Sequence, residues 1–100
     1  MDPIFKIMKR LRSRRGCPWD RKQTLLSLRQ CFIEEAHEIV DAVSSGKREA
    51  IEEELGDMLC AVALLSVIGE ERKLFSLDSV IRRAARKMIS RHPHVFGPER

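Results

Sequence analysis

An apolar segment near the middle of the chain, from Met58 to Ile68, constrains the fold more than any other feature. Ser66 is its only polar residue, so a helix formed here is apolar on every side and must be enclosed by its own bundle or by another subunit. Eleven residues are too few to cross a bilayer. Because no segment alternates between apolar and polar side chains as a half-buried strand does, the chain is predicted to be all-α.

Helical periodicity predicts four helices with short connections, which is typical of an antiparallel bundle of four or five helices. A loop is expected over residues 17–20, and Asp20 or Thr24 can cap the helix that follows it. Gly46 and Gly69 are the expected stop signals of the second and third helices. The predicted helices cover approximately residues 3–16, 24–44, 47–68 and 76–91.

The second and fourth helices are amphipathic, and their apolar positions predict which side is buried. Ser76 or Asp78 is the expected cap of the fourth helix, and Pro93 ends it. A core of this size is marginal, so a homodimer or higher homo-oligomer formed through the apolar helices is expected. The second helix is expected to bury Leu25, Leu28, Phe32, Ala36, Ile39 and Val43, and the fourth Val80, Ile81, Ala84, Ala85 and Met88.

The net charge of +4 hides a division of the chain into three blocks. Residues 1–29 contain nine basic and two acidic side chains, which gives +7. Residues 30–71 contain two basic and eleven acidic side chains (−9), and residues 72–100 contain eight and two (+6). The basic ends fit an anionic partner, whereas the acidic centre requires an explanation of its own.

Cysteine usage and the N-terminal segment indicate the compartment. Cys17, Cys31 and Cys60 are an odd number without a CxxC pair, which argues against a disulfide framework or a zinc site. The basic N-terminal residues are not followed by the apolar stretch of a signal peptide. We therefore expect a cytoplasmic protein with no membrane partner.

Two pairs of carboxylates stand on the second and third predicted helices. Glu54 and Asp57 are about 60° apart at the start of an apolar stripe, where an unpaired charge is costly. Glu35 and Glu38 lie about 80° and 140° from the apolar face of the second helix, on one flank. Antiparallel helices can bring both pairs to one point, and the resulting repulsion favours a divalent cation. All-oxygen ligands favour Mg²⁺ or Mn²⁺ over zinc and copper.

Other acidic residues of the second helix fit a solvated face better. Glu34 and Asp41 lie opposite its predicted apolar side. The pattern Glu34-x-x-His37 matches half of a di-iron bundle motif, but the second copy that such a site needs is missing.

The acidic pattern resembles a known family. Glu34-Glu35-x-x-Glu38, a gap of fifteen residues and Glu54-x-x-Asp57 match the EExxE…ExxD signature of the MazG-like nucleoside triphosphate pyrophosphohydrolases. Three further segments are similar to MazG proper rather than to its dUTPase and phosphoribosyl-ATP pyrophosphohydrolase relatives. They are residues 16–20 (GCPWD), 54–57 (ELGD) and 91–96 (RHPHVF), and the resemblance spans residues 5–97.

The resemblance implies an all-α NTP pyrophosphatase fold and one MazG-like domain over residues 1–100, either free-standing or part of a tandem protein. It implies hydrolysis of (deoxy)nucleoside triphosphates between the α and β phosphates to monophosphate and pyrophosphate, with nucleotide-pool housecleaning as one role. By position in the motif, Glu34, Glu35 and Glu38 are the expected catalytic residues, with Glu34 orienting water. The Mg²⁺ ligands implied by the motif are Glu35, Glu38, Glu54 and Asp57.

Basic residues of the fourth helix are candidates for holding the triphosphate. Arg83 and Lys87 are an i,i+4 pair, and with Arg86 they match a region that resembles the phosphate-binding segment of the family. A solvated basic face is the alternative. Trp19 is the only tryptophan, and it either stacks on the base or anchors local packing.

Two other functions remain open from the sequence. The chain could be a catalytically degenerate MazG-like module that binds nucleotides or dimerises, in which case Mg²⁺-dependent binding occurs without product. It could also be a small basic nucleic-acid binder, for which the +7 and +6 ends are the motive and salt-sensitive affinity the test.

Overall fold

A computed structural model describes residues 2–97, and in this range every regular element is an α-helix. The all-α prediction is therefore confirmed. Two of the helices are single turns of four residues, which the helical periodicity did not reveal. The helices are α1 (Asp2–Arg12), α2 (Pro18–Arg21), α3 (Leu28–Ser45), α4 (Arg48–Glu71), α5 (Leu77–Ser90) and α6 (Pro93–Phe96).

The segment between α1 and α3 differs from the prediction. Residues 18–21 form α2 and not a loop, because Pro18 occupies the first turn, where its missing N–H costs nothing. α3 begins four residues later than Thr24. Thr24 nevertheless caps the turn that leads into α3, since its N–H donates to Ser27 Oγ (2.8 Å) and Ser27 N–H donates to Thr24 Oγ1 (3.0 Å).

The two predicted glycine stop signals have different outcomes. Gly46 ends α3 in the left-handed conformation, with a φ of 69°. The prediction that Gly69 ends the next helix is wrong, because α4 continues to Glu71. Gly69 is buried inside α4, and a methyl group at this position would overlap the ring of Phe75. This glycine therefore permits a close approach and does not terminate the helix.

The core lies between α1, α3 and α4. α3 and α4 form a helical hairpin, and α1 packs against α4. Leu28, Leu64 and Ile68 are buried at its centre, in agreement with the expectation that the apolar segment of α4 is enclosed. The half-buried side chains around them are Met8, Leu25, Cys31, Phe32 and Leu65.

The buried side of α3 is rotated from its predicted position. Leu28 and Ala42 are buried and Glu35 lies between them at seven-residue spacing, whereas Ala36 is exposed and Val43 is 58% exposed. The prediction that Ala36 and Val43 face the core is therefore wrong for this chain. The cause is a second apolar stripe on α3, formed by residues exposed to solvent: Ile33, Ala36, Val40 and Val43.

α5 packs through its first turn. Ser76, one of the two predicted caps, caps it in a reciprocal capping box with Ser79, and Leu77 is buried. Residues 81–90 are all exposed, so the predicted burial of Ile81, Ala84, Ala85 and Met88 does not occur, and Val80 is 38% exposed. The reason is that α5 contacts only α4 and α6 among the described helices.

The described residues have an elongated shape as a result. Their principal extents are 52 × 38 × 24 Å and the radius of gyration is 16.3 Å. A compact domain of this length has a radius of gyration of about 13 Å. None of the described helices is long and apolar enough to cross a membrane.

Candidate metal centre

The α3–α4 hairpin brings four carboxylates together. Glu35 and Glu38 project from α3, and Glu54 and Asp57 from α4. One oxygen from each of the four lies within 4.8 Å of the others. The spacing of three residues within each pair places both members on one side of their helix, and the hairpin turn at Gly46 sets the two pairs opposite each other.

The inner pair of carboxylates, Glu35 and Glu54, is half-buried, and the outer pair, Glu38 and Asp57, is exposed. Glu35 Oε2 and Glu54 Oε1 are each buried without a hydrogen bond from any of the residues 2–97. A buried acceptor without a donor is costly in a folded protein. These two atoms therefore need a partner that the described chain does not provide.

Electrostatics favour a proton or a cation at this place. Burial raises the pKa of Glu35, and repulsion by Glu38, Asp57 and Glu34 raises it further. Burial raises the pKa of Glu54 to about 7, together with hydrogen bonding to Glu38 and repulsion by Glu38, Asp57 and Glu35. No cationic side chain pairs with either group among the described ion pairs. The group of carboxylates thus carries uncompensated negative charge.

The four residues fit a hard divalent cation. Their donor set consists only of carboxylate oxygens, which Mg²⁺ and Mn²⁺ prefer over nitrogen or sulfur. A cation would also supply the missing partner of Glu35 Oε2 and Glu54 Oε1. Both the chemistry of the ligands and the two buried unpaired oxygens support this fit.

A mostly apolar cavity of about 250 Å³ adjoins the carboxylates. Glu35 and Asp57 line one side of it, and Trp19 and Asp20 of α2 line another. Trp19 is 61% exposed at this place. The remaining lining residues are Met8, Leu28, Cys31, Cys60, Ala61 and Leu64, so no Lys or Arg of the described chain lines it.

Cys31 and Cys60 are lining residues that the sequence motifs did not mark as part of a site. Their spacing could have indicated this position, because Cys31 precedes Glu35 by one helical turn and Cys60 follows Asp57 by three residues, so each cysteine shares a helix face with a carboxylate of the site. Burial raises the pKa of the Cys31 thiol, as do the charges of Glu35, Glu34 and Glu38. A neutral thiol suits an apolar wall.

The predicted triphosphate-binding residues lie elsewhere in the chain. Arg83, Arg86 and Lys87 line a separate groove of about 650 Å³ along α5, together with Leu74 and Phe75. This groove and the cavity beside the carboxylates share no residue. None of the three basic residues therefore lines the cavity beside the carboxylates.

Glu34 also lies outside the group of four carboxylates. Its side chain is exposed, and Gln30 Nε2 donates to Glu34 Oε2 at 3.3 Å. His37 is exposed on the same helix. The structure thus separates Glu34 from the convergent acids while leaving it next to Glu35 in sequence.

Comparison with known proteins gives a match to the segment that contains α3, α4 and the four convergent carboxylates. A family described as the MazG nucleotide pyrophosphohydrolase domain matches residues 23–96. The chain is 45% identical over 96 residues to the nucleoside triphosphate pyrophosphohydrolase/pyrophosphatase MazG of Thermotoga maritima, which covers 96% of this chain and 38% of that protein. It is 34% identical over 98 residues to the nucleoside triphosphate pyrophosphohydrolase of Escherichia coli K12, covering 97% of this chain and 37% of that protein.

A third relative is the uncharacterized protein YabN of Bacillus subtilis, which is 47% identical over 90 residues. That match covers 90% of this chain and 18% of YabN. The chain thus spans less than two fifths of the length of these three relatives. Because the matched family covers most of the described residues, including α3, α4 and all four convergent carboxylates, this chain belongs to the MazG nucleotide pyrophosphohydrolase domain family.

Proposed function

We propose that the chain binds Mg²⁺ and hydrolyses nucleoside triphosphates to the monophosphate and pyrophosphate. The observation that carries this proposal is the convergence of Glu35, Glu38, Glu54 and Asp57 within 4.8 Å, with two buried oxygens lacking a donor. The names of the relatives from Thermotoga maritima and Escherichia coli support the same reaction class. Mn²⁺ is the expected substitute for Mg²⁺.

In this proposal the four carboxylates hold the cation at the edge of the cavity. The exposed pair, Glu38 and Asp57, and the half-buried pair, Glu35 and Glu54, would each contribute carboxylate oxygens to it. A bound Mg²⁺ supplies a Lewis acid for phosphate oxygens and lowers the pKa of coordinated water. The fixed positions on two packed helices mean that little reorganisation is needed when charge develops in the transition state.

The reaction places further demands on the chain's own residues. A water oxygen bonds to the α phosphorus, the bond between that phosphorus and the α–β bridging oxygen breaks, and pyrophosphate leaves. The proton that the water loses passes to solvent. Glu34, whose exposed carboxylate accepts a hydrogen bond from Gln30 Nε2, is proposed to orient this water. Trp19 and the apolar wall around Cys31 and Cys60 are proposed to bind the nucleoside, because they adjoin Glu35 and Asp57.

The purified chain should release pyrophosphate and not orthophosphate from at least one of the eight common ribo- and deoxyribonucleoside triphosphates when Mg²⁺ is present. Product analysis by ion-exchange chromatography distinguishes the two reactions. Asp57→Asn and Glu38→Gln should abolish the release, since each removes one negatively charged ligand from the group. Full activity in either variant would contradict the metal assignment.

A matched control lies on the same helix. Glu52 is exposed on α4 and lies outside the four convergent carboxylates, so Glu52→Gln removes an equal charge from the helix without touching the site. We expect this variant to keep its pyrophosphate release. Loss of activity in Glu52→Gln as well would indicate that the acidic surface as a whole matters and not the convergent group.

One observation favours a second function. No Lys or Arg of residues 2–97 lines the cavity, so the cavity itself offers no basic side chain to hold the remaining phosphates. A module that binds a Mg²⁺–nucleotide without turnover fits this arrangement. Isothermal titration that shows Mg²⁺-dependent binding of a triphosphate, with no product after long incubation, would favour this alternative.

The surroundings of the site support a homo-oligomer. Ile33, Val40 and Val43 on α3 and Leu55 and Leu59 on α4 are 42–61% exposed, which is unusual for large apolar residues of one hairpin. We propose that a second copy covers them. Arg83, Arg86 and Lys87 are proposed to hold the triphosphate in such an assembly.

We further propose that the protein is cytoplasmic and that its partners are nucleotides and not nucleic acids.

A further inference from the structure

Arg12, at the end of α1, has an unusually complete set of hydrogen bonds. Its Nε and Nη2 donate to Glu71 Oε2 and Oε1 at 2.8 and 2.7 Å, which forms a two-pronged ion pair with the end of α4. Its Nη1 donates to the carbonyl oxygens of Asp20 (2.7 Å) and Gln23 (2.9 Å). The Arg12 side chain is only 11% exposed and its two bonds to backbone carbonyls are partly buried, whereas the Glu71 side chain is 43% exposed.

These bonds connect three parts of the chain. Asp20 belongs to α2, and Gln23 follows that helix by two residues. The Glu71 carboxylate fixes the plane of the guanidinium, and the remaining nitrogen, Nη1, donates to the carbonyl oxygen of Asp20 in α2. Arg12 thus joins α2 to the α1–α4 interface through polar bonds alone.

α2 has little else to hold it. None of its four residues, Pro18–Arg21, is buried, and among the described helices its backbone contacts α1 only. Hydrophobic burial therefore contributes little to its position. Arg21 Nη1 adds two longer bonds on the exposed surface, to the carbonyl oxygens of Ser13 (3.1 Å) and Arg14 (3.3 Å). At the start of α2, the N–H of its N-cap residue Cys17 donates to the Leu11 carbonyl oxygen (2.8 Å). The partly buried bonds of Arg12 are consequently the main polar attachment of the C-terminal end of α2.

The position of α2 matters because α2 forms one wall of the cavity. Trp19 and Asp20 line the cavity together with Glu35 and Asp57. A displacement of α2 would open this wall without moving any of the four carboxylates, which stand on α3 and α4. The wall and the metal-binding group are therefore mechanically separate parts of the site.

We propose that Arg12 is a positioning residue that holds α2 against the cavity and thereby sets how tightly the nucleoside part of the substrate is bound. The proposal rests on the proposed hydrolysis of nucleoside triphosphates for its kinetic consequence. Arg12 belongs neither to the cavity lining nor to the carboxylates, so its effect is transmitted through α2. Without this attachment, α2 is held against the cavity in a smaller fraction of the molecules. A smaller binding-competent fraction raises the apparent KM and leaves kcat nearly unchanged.

Arg12→Lys and Glu71→Gln test this proposal. Lysine keeps the charge but cannot reach Glu71 and two carbonyl oxygens together, and the neutral amide introduced by Glu71→Gln cannot form the ion pair that orients the guanidinium. For Arg12→Lys we expect KM to rise by up to about tenfold and kcat to change less than about twofold, because loss of a charge-assisted hydrogen bond lowers the ratio of closed to open α2 by about tenfold. For Glu71→Gln the same change should be smaller.

The fluorescence anisotropy of Trp19 gives a readout that does not depend on catalysis. Trp19 is the only tryptophan and the chain has no tyrosine, so the signal reports α2 directly. We expect lower anisotropy in both variants because α2 becomes more mobile. Arg10→Lys, an exposed arginine on the same helix, and Asp78→Asn, which breaks the exposed Arg82–Asp78 ion pair, are the matched controls and should leave the anisotropy and KM unchanged.

Unchanged anisotropy and unchanged KM in Arg12→Lys would overturn the proposal, as would a loss confined to kcat. If the wild-type chain shows no hydrolysis, the proposed function fails, but the anisotropy change still decides whether Arg12 holds α2. If Arg12→Lys unfolds, as far-UV circular dichroism would show, Glu71→Gln carries the test, because its amide still accepts a hydrogen bond from Arg12.

Discussion

Glu35 on α3 and Glu54 on α4 face each other across the helical hairpin, and each buries a carboxylate oxygen that no described residue reaches with a hydrogen bond. One oxygen of each residue lies within 4.8 Å of the other. Two acids in this arrangement destabilise the hairpin when both are charged, and they stabilise it when a cation lies between them. The proposed binding of a cation by this pair would therefore couple the stability of the hairpin to the cation concentration.

Glu54→Gln should raise the thermal stability of the metal-free protein at pH 8, because it removes one of the repelling charges. Mg²⁺ at about a hundred times its Kd should stabilise the wild type by about 2.7 kcal/mol and the variant by close to zero. Thermal melts followed by circular dichroism, with EDTA or with Mg²⁺, measure both effects. Glu52→Gln is the control, and an equal Mg²⁺ effect in Glu54→Gln and wild type would exclude Glu54 as a ligand.

Two glycines of α4 should respond to alanine in opposite directions. Gly69→Ala places a methyl group against the Phe75 ring, so we expect a loss of about 1–3 kcal/mol in the free energy of unfolding. Gly56→Ala meets nothing within 4 Å inside the same helix, so we expect a gain of about 0.5–1 kcal/mol. Urea unfolding of both variants measures the difference, and a loss in Gly56→Ala would indicate an occupied surface at that position.

The Arg12–Glu71 ion pair should make stability depend on pH in the acidic range. The hydrogen bond from Arg12, aided by its charge and opposed by burial, lowers the pKa of Glu71 below its ordinary value of 4.5. The unfolded state therefore takes up the proton first as the pH falls. The stabilisation is fully present above pH 4.5 and disappears as the pH drops through the lower pKa of the folded state.

Glu71→Gln should accordingly be less stable than the wild type at pH 7 by about 0.5–1 kcal/mol, since the Glu71 side chain is 43% exposed and solvent weakens the pair. The difference should vanish once Glu71 is protonated in both states. Urea unfolding of both proteins between pH 7 and pH 3 tests the sign. A difference that grows towards low pH would contradict the assignment.

Val40→Glu should convert the proposed homo-oligomer into a monomer. Val40 is 61% exposed on the second apolar stripe of α3, and a buried carboxylate there would be unpaired in an interface. Light scattering coupled to size-exclusion chromatography measures the mass. Ile7→Glu, on the 56% exposed side chain of α1, is the control, and an unchanged mass in Val40→Glu would place the interface elsewhere.

The sequence predicted the fold class from its helical periodicity. It predicted the boundary at Gly46, and Ser76 as one of two candidate caps, from local backbone chemistry. The convergence of the four carboxylates could also be anticipated, since spacing of three residues and a short hairpin turn determine it. It remains a prediction that these residues bind metal.

The sequence could not determine which of two apolar stripes on α3 meets the chain's own core. Leu28 and Ala42 are buried and Val43 is exposed, although both stripes consist of apolar residues at helical spacing. Periodicity identifies a face but not its partner. The same ambiguity applies to α5, where the exposed Ile81 and Met88 follow an equally regular pattern.

The helical hairpin of α3 and α4 has a kinetic consequence. All four carboxylates come from two helices that are neighbours in sequence, joined by two residues at Gly46 and Lys47. Closing such a short loop costs little chain entropy, and contacts between sequence neighbours form quickly during folding. We therefore expect the four carboxylates to come together early in folding, before α1 and α2 dock. A cation could then bind them while the cavity wall formed by α2 is still being assembled.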